Sequence, residues 1–327
     1  MLLDLFKEKR CFKLVLGAGN ENIEEIEKLA FLYSLAGANF FDACAKKETV
    51  LAAKRGIEKS KIKEDRYICV SVGTKSDPHM QKAKINEKSC IECGKCKNEC
   101  LEEAIVENNG EFFVDERKCI GCAKCERVCS SGSIEFISEE MNMYNVLSPL
   151  VSLGIDCVEF HVSSKDKNKI LAKWEDINKL YNGVLSISVS RKNMSDDEII
   201  PLLESMLQNK QDYSVIVQAD GNPMSGGTDD YNTTLQSIAC ADVVQKSKLP
   251  VYILLSGGTN SKTTEFARMC NIDAKGVAIG SFARKLVKEY IKREDFFENE
   301  EIINKALSCA KNLVDISLRH LKWWQKL

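Results

Sequence analysis

No apolar run in this sequence reaches the roughly 20 residues that a membrane-spanning helix needs. The opening residues, MLLDLFKEKRCFKLVLGAG, carry charges between two short apolar pieces. They lack the long apolar core and small-residue cleavage site of a secretory signal, so a cytoplasmic location is expected. Neither sign of charge is in excess: 46 Lys and Arg face 48 Asp and Glu, a formal net charge of −2. Binding to a phosphate backbone calls for a basic surplus or patch, so nucleic acid is not an expected partner. Histidine occurs only three times. No nucleophile elbow, Ser-His-Asp triad or P-loop is present.

Cysteine is abundant instead, with 15 residues. Eight of them form two runs, SCIECGKCKNEC (89–100) and KCIGCAKCERVC (118–129), each spaced C-x2-C-x2-C-x3-C. Soft thiolate sulfur suits iron in a cubane cluster, and in such runs the fourth cysteine serves the other cluster. The spacing therefore predicts two [4Fe–4S] clusters. One is held by Cys90, Cys93, Cys96 and Cys129, the other by Cys119, Cys122, Cys125 and Cys100. A pair of zinc sites is the alternative, but zinc motifs more often join two C-x2-C elements over a longer spacer. Gly94 and Gly121 would let backbone N–H groups approach the cluster sulfurs. Ile91, Ile105, Ile120 and Ile134 could form a dry shell around them. The proline that usually follows the fourth cysteine is replaced by Leu101 and Ser130. The other seven cysteines sit mostly among apolar neighbours and read as small buried hydrophobes.

Outside this region one pattern repeats: a short apolar run, a turn of small residues, then a helical stretch. Eight runs read as strands: FKLVLGAGN (12–20), NFFDACA (39–45), YICVSVGT (67–74), DCVEFHVS (156–163), GVLSISVS (183–190), YSVIVQAD (213–220), PVYILLSGG (250–258) and KGVAIGS (275–281). Strands alternating with helices pair in parallel. Without residues 76–138 roughly 265 residues remain, close to the ~250 of a (β/α)8 barrel. The expected fold is thus α/β, a TIM-like barrel with an inserted two-cluster ferredoxin-like domain. Residues 1–75 would give strands one to three, 76–138 the insertion and 139–327 strands four to eight. An open doubly wound sheet is the alternative. The insertion would follow the third strand, at the face where such barrels carry their active sites.

Candidate pocket residues follow from strand ends. Gly257 and Gly258 after strand seven, with Gly280 and Ser281 after strand eight, fit a barrel phosphate site, for flavin or another phosphate-bearing ligand. They could also serve only as tight turns. Gln218, Asp220 and Ser225 lie after strand six, and Glu159 and His161 after strand four. His161 could be an acid–base group or a hydrogen-bond donor to a ring ligand; a lone histidine can equally be structural. Asp42, Cys44 and Lys75 are candidates by position.

The segments FKLVLGAG, AGANFFDACA, QADGNPMSGG and LLSGGTN, together with the paired cysteine runs, resemble the cyanobacterial light-dependent-period (LdpA) iron–sulfur family. The similarity runs from about residue 11 to about residue 285. It implies a two-cluster protein that reports cellular redox state, in that family as an input to the circadian clock, with the cluster cysteines falling on the eight named above. Two functions compete. One is a redox sensor with a redox or regulatory protein partner and a small molecule in the barrel mouth. The other is a flavin-dependent barrel oxidoreductase fed electrons by its insertion. A barrel that has lost catalysis and serves electron transfer or scaffolding is a third. The sequence alone does not decide whether the protein is an enzyme.

Overall fold

The computed structural model describes residues 1–17, 19–73, 81–138, 142–221 and 228–322. In chain order it begins with helix α1 (Leu2–Lys7), β1 (Cys11–Gly17), α2 (Ile23–Ala36), β2 (Phe40–Cys44), α3 (Lys47–Lys59) and β3 (Tyr67–Gly73). There the chain leaves the main sheet. It forms β4 (Gln81–Ile85), α4 (Lys95–Glu99), β5 (Ile105–Asn108), β6 (Glu111–Val114), α5 (Lys124–Val128) and β7 (Ile134–Ser138). It returns through α6 (Met143–Ser152), β8 (Cys157–His161), α7 (Lys167–Leu180), β9 (Val184–Val189), α8 (Asp196–Leu207) and β10 (Val215–Asp220). Then come α9 (Leu235–Ser247), β11 (Tyr252–Ser256), α10 (Thr263–Met269), β12 (Gly276–Ile279), α11 (Ser281–Ile291) and α12 (Glu300–Leu321).

Eight strands close a parallel barrel in the order β1-β12-β11-β10-β9-β8-β3-β2. The pairing of β3 with β8, from Cys69↔Cys157 to Gly73↔His161, is continuous although 83 residues, 74–156, lie between the two strands. The intervening segment has its own two small antiparallel sheets, β4–β7 and β5–β6. The closed barrel settles the choice against an open sheet.

Strand alternation explains the layers. In β1, Phe12, Leu14 and Leu16 point outward into the core shared with the helices. Cys11 points inward and joins Phe40, Cys69, Cys157, Ile216 and Leu254 at the N-terminal end of the barrel. Helix α1 plugs that end with Leu2, Leu5 and Phe6, the Phe6 ring stacking on Tyr252 at 5.6 Å. Helix starts follow the expected chemistry. Asn22 caps α2 by accepting from the Glu25 amide at 3.3 Å, and Glu198 accepts from the Ser195 amide at 2.8 Å to box the start of α8. Helix α6 runs through Pro149.

Among the scattered cysteines, Cys11, Cys44, Cys69, Cys157 and Cys240 are buried as expected. Cys270 is not: it follows α10 at the surface, and Cys309 is only half-buried on α12. No helix among the described residues is long and apolar enough to cross a membrane.

Candidate functional site

Above the apolar floor the barrel interior turns polar. Lys13, fully buried on β1, places its ammonium 3.2 Å from Asp42 Oδ2 on β2 and in contact with Glu159 on β8. It also donates to Gln218 Oε1 on β10 at 3.2 Å. Gln218 Nε2 donates to Glu159 Oε1 at 2.7 Å, and His161 Nε2 lies 2.7 Å from that same oxygen. Ser71 donates to Asp42 Oδ1 at 2.8 Å.

Charge follows from this packing. Burial disfavours the Lys13 ammonium, but Asp42, Cys69 and Glu159 outweigh it and hold the group well above its ordinary value. Burial likewise pushes Glu159 up, yet Lys13 and His161 prevail and keep it at about 2. Asp42 goes the other way: burial is its largest influence and raises it, with Lys13 only partly compensating. One ammonium cannot neutralise two buried carboxylates. We therefore read Lys13–Glu159 as the ion pair and Asp42 as the carboxyl that holds a proton more readily.

This network floors a cavity of about 80 Å³ at the barrel mouth. The cavity brings together seven of the pocket residues that the sequence singled out, His161, Asp220, Gln218, Gly257, Gly258, Gly280 and Ser281, with Asp42 and Glu159 beside them. Gly257 has φ +71°, and a Cβ there would collide with Asp220 Oδ1. Cys44 is buried away from the cavity. Lys75 and Ser225 lie outside the described residues. Sequence reasoning did not place Lys13 beneath the cavity, nor Ile120 and Arg284 in its wall.

Arg284 sits in the first turn of α11, only 7% exposed. Its Nη2 donates to Glu102 Oε1 at 3.2 Å. Its Nε and Nη1 are buried with no hydrogen-bond partner among the described residues. Gly17 makes room for it, since a Cβ at that residue would lie 2.8 Å from Nη1.

The cysteine region forms two further cavities. One is lined by Cys90, Cys93, Cys96 and Cys129, with Gly94, Phe112 and Ile134. The other is lined by Cys100, Cys119, Cys122 and Cys125, with Ile105, Ile120 and Phe136. Each thus draws three cysteines from one run and the fourth from the other. Backbone amides donate to sulfur: Ala104 to Cys100 at 3.3 Å, Ser133 to Cys129 at 3.3 Å and Ala83 to Cys119 at 3.4 Å. Ile105, Ile120 and Ile134 are buried, whereas Ile91 lines its cavity while keeping most of its surface exposed. Among the described residues no three His, Cys, Asp or Glu side chains are placed to hold a single ion. The sulfurs surround a volume, as a cubane requires, and their soft donor chemistry fits iron.

The second cysteine cavity abuts the barrel mouth, because Ile120 lines both. Polar contacts hold the two parts together. Lys82 donates to the carbonyls of Gly19 at 2.6 Å, Glu116 at 2.7 Å and Cys119 at 2.8 Å, and pairs with Glu21 at 3.0 Å. The Glu21 amide donates to the Arg117 carbonyl at 2.7 Å. On the other side, Lys288 and Lys292 pair with Glu103 at 3.0 and 2.7 Å.

Comparison with known sequences matches residues 149–316, just over half the chain, to the Light dependent period A C-terminal domain. The chain belongs to the Light dependent period A family. Residues 89–134 match the 4Fe-4S dicluster domain, and the protein is an iron–sulfur protein of the Light dependent period A type. A family relative, Light dependent period A of Synechococcus elongatus, is 26% identical over 331 residues, covering 95% of this chain and 92% of its own. Solved barrels align over most of the chain at low similarity. A truncated 3-deoxy-D-arabino-heptulosonate 7-phosphate synthase from Thermotoga maritima is 12% identical (TM-score 0.44; 93% of this chain, 87% of that one). The YdjI aldolase from Escherichia coli K12 is 8% identical (TM-score 0.44; 98% and 93%). The barrel assignment rests on the strand pairing described above.

Proposed function

We propose that this protein is a redox sensor that carries two [4Fe–4S] clusters and reads their state at the barrel mouth. Cys90, Cys93, Cys96 and Cys129 hold one cluster, and Cys119, Cys122, Cys125 and Cys100 the other. The observation that carries this reading is the crosswise lining of the two cysteine cavities. A bound cubane supplies one-electron chemistry. The chain's own residues do the rest. Backbone amides of Ala83, Ala104 and Ser133 stabilise negative charge on the sulfurs, and buried Ile105, Ile120, Ile134 and Phe112 keep water back. Ile120 lines both the second cavity and the barrel pocket. A change of charge at the cysteines is therefore felt where a small ligand would bind. A redox or regulatory protein is the partner such a sensor would inform.

The glycine rim of Gly257, Gly258 and Gly280, with Ser281 opening α11, supports a phosphate-bearing ligand in the mouth. A flavin is the second reading, favoured by the shared Ile120 wall. The cavity of about 80 Å³ falls short of the ~300–1,000 Å³ of most cofactor pockets, so it matches a phosphate group better than a three-ring system.

Anaerobic purification followed by iron, sulfide and flavin analysis tests these readings. About eight iron and eight sulfide per chain are expected from two cubanes. Zinc at about two per chain without acid-labile sulfide would overturn the cluster assignment. Stoichiometric flavin would favour the oxidoreductase reading.

A further inference from the structure

Arg284 is a buried cation with unfinished hydrogen bonding. Two of its three nitrogens, Nε and Nη1, have no partner among the described residues, although the side chain is more than nine-tenths buried. Leaving charged donors unsatisfied in the interior is costly unless something completes them. The guanidinium lines the barrel-mouth cavity beside the glycine rim and the N-terminus of α11, a helix of 11 residues. Backbone amides, a helix dipole and a cation therefore converge on one small volume, which is the chemistry of an anion site.

The third nitrogen leads elsewhere. Nη2 is held by Glu102, two residues after Cys100, and Glu102 itself lines the second cysteine cavity. The same guanidinium therefore borders the barrel mouth on one side and the wall of a cysteine cavity on the other. We propose that Arg284 anchors a small phosphate-bearing anion in the barrel mouth, and that its bridge to Glu102 ties the affinity of this site to the redox state of the cluster at Cys100, Cys119, Cys122 and Cys125. The proposal rests on the cluster and phosphate assignments made above.

The direction of coupling follows from charge. One electron taken from an external reductant such as dithionite adds one negative charge behind Ile120 and Glu102. Added negative charge weakens the hold of Arg284 on a second anion. Coupling between two sites is reciprocal, so bound phosphate must disfavour reduction to the same extent. A tenfold preference of phosphate for the oxidised protein corresponds to a 59 mV fall in the one-electron midpoint. Glu102 competes for the guanidinium, so neutralising it should tighten the anion site.

The test uses full-length, anaerobically purified protein and inorganic phosphate as the probe. Calorimetric titration is run on wild type, Arg284→Gln, Arg284→Lys and Glu102→Gln, each with its iron content measured. Arg284→Gln should weaken phosphate binding about tenfold or more, because it removes charge-assisted hydrogen bonds. Arg284→Lys should fall between, and Glu102→Gln should bind more tightly than wild type. A redox titration with and without saturating phosphate should show one of two midpoints falling while the other holds. If iron-replete wild type binds no phosphate, the phosphate assignment itself fails. If phosphate binds equally well to Arg284→Gln, Arg284 is not the anchor. If phosphate binds through Arg284, but Glu102→Gln is unchanged and neither midpoint moves, the coupling fails while the phosphate site stands. Should Arg284→Gln lose iron or fold poorly, Arg284→Lys and Glu102→Gln carry the decision.

Discussion

Lys82 donates its ammonium to the carbonyl of Cys119 at 2.8 Å while pairing with Glu21 of the β1–α2 loop at 3.0 Å. One side chain on β4 thereby joins the cysteine segment to the barrel rim. Lys82→Ala should loosen that seam without altering either part. Hydrogen exchange at the Glu21 amide, which donates to Arg117 across the seam, should accelerate about tenfold or more, as expected for local opening eased by ~1.4 kcal/mol. Unchanged exchange there would show that the other contacts suffice.

The crosswise lining makes a specific demand of the fourth cysteines. Cys129→Ser should damage the site of Cys90, Cys93 and Cys96, and Cys100→Ser the site of Cys119, Cys122 and Cys125. Each variant should retain about four of about eight iron atoms. The two should lose different spectroscopic signals. Loss of the same signal from both would contradict the arrangement.

Lys13 faces both Asp42 and Glu159 in the barrel interior, with His161 beside Glu159. Lys13→Met would remove the ammonium shared by two buried carboxyl groups. Destabilisation of about 3–5 kcal/mol is expected, the range for breaking a buried pair by removing one partner. Lys13→Met/Glu159→Gln should recover part of that loss, since the second change removes the stranded charge. Thermal unfolding of the two variants measures the difference.

Acid should act on the same pair. Glu159 lies at about 2 in the folded protein, against roughly 4.3 for an unperturbed glutamate. A depressed acid contributes stability that is complete above its unfolded value. That contribution drains away as pH falls from roughly 4.3 towards 2. Asp42, raised by burial, works in the opposite sense and costs stability as pH rises through its folded value. Glu159→Gln should therefore be less stable than wild type at neutral pH, with the gap narrowing below about pH 4.5. Acid strips iron from both proteins, so the measurement is the difference between their unfolding curves. A gap independent of pH would contradict the ion-pair reading.

Much of the barrel was legible because each of its strands is a short apolar run bounded by a turn, as for FFDAC of β2 and YILLS of β11. Helix α1 was not, because its apolar residues Leu2, Leu5 and Phe6 are interleaved with Asp4 and Lys7 in only six residues. The small sheets of the cysteine region were also hidden: β4, QKAKI, carries two lysines in five residues and is mostly half-buried. Gly257, Gly258, Gly280 and Ser281 were found from their place after the last two strands. Lys13 had a usable signal that went unread. It is one charged residue at an inward position of an otherwise apolar strand, and Asp42 and Glu159 repeat the pattern in β2 and β8. Arg284 had no such signal. An arginine in the first turn of a helix usually faces water, and only the packing of Glu102 and Gly17 around it shows otherwise.

The pairing of Gln81 with Ser138 at the base of the β4–β7 sheet has a consequence for survival under oxidative stress. When that sheet is formed, Gln81 and Ser138 hold the two ends of the excursion together, so the barrel does not itself close the loop between them. If metal loss melted the whole segment, the barrel would instead have to close over all 83 residues. Chain-closure entropy grows only logarithmically, so the added cost is about 1 kcal/mol. Loss of the metal centres would then spare the scaffold, leaving an intact protein ready to be reloaded instead of one destined for degradation.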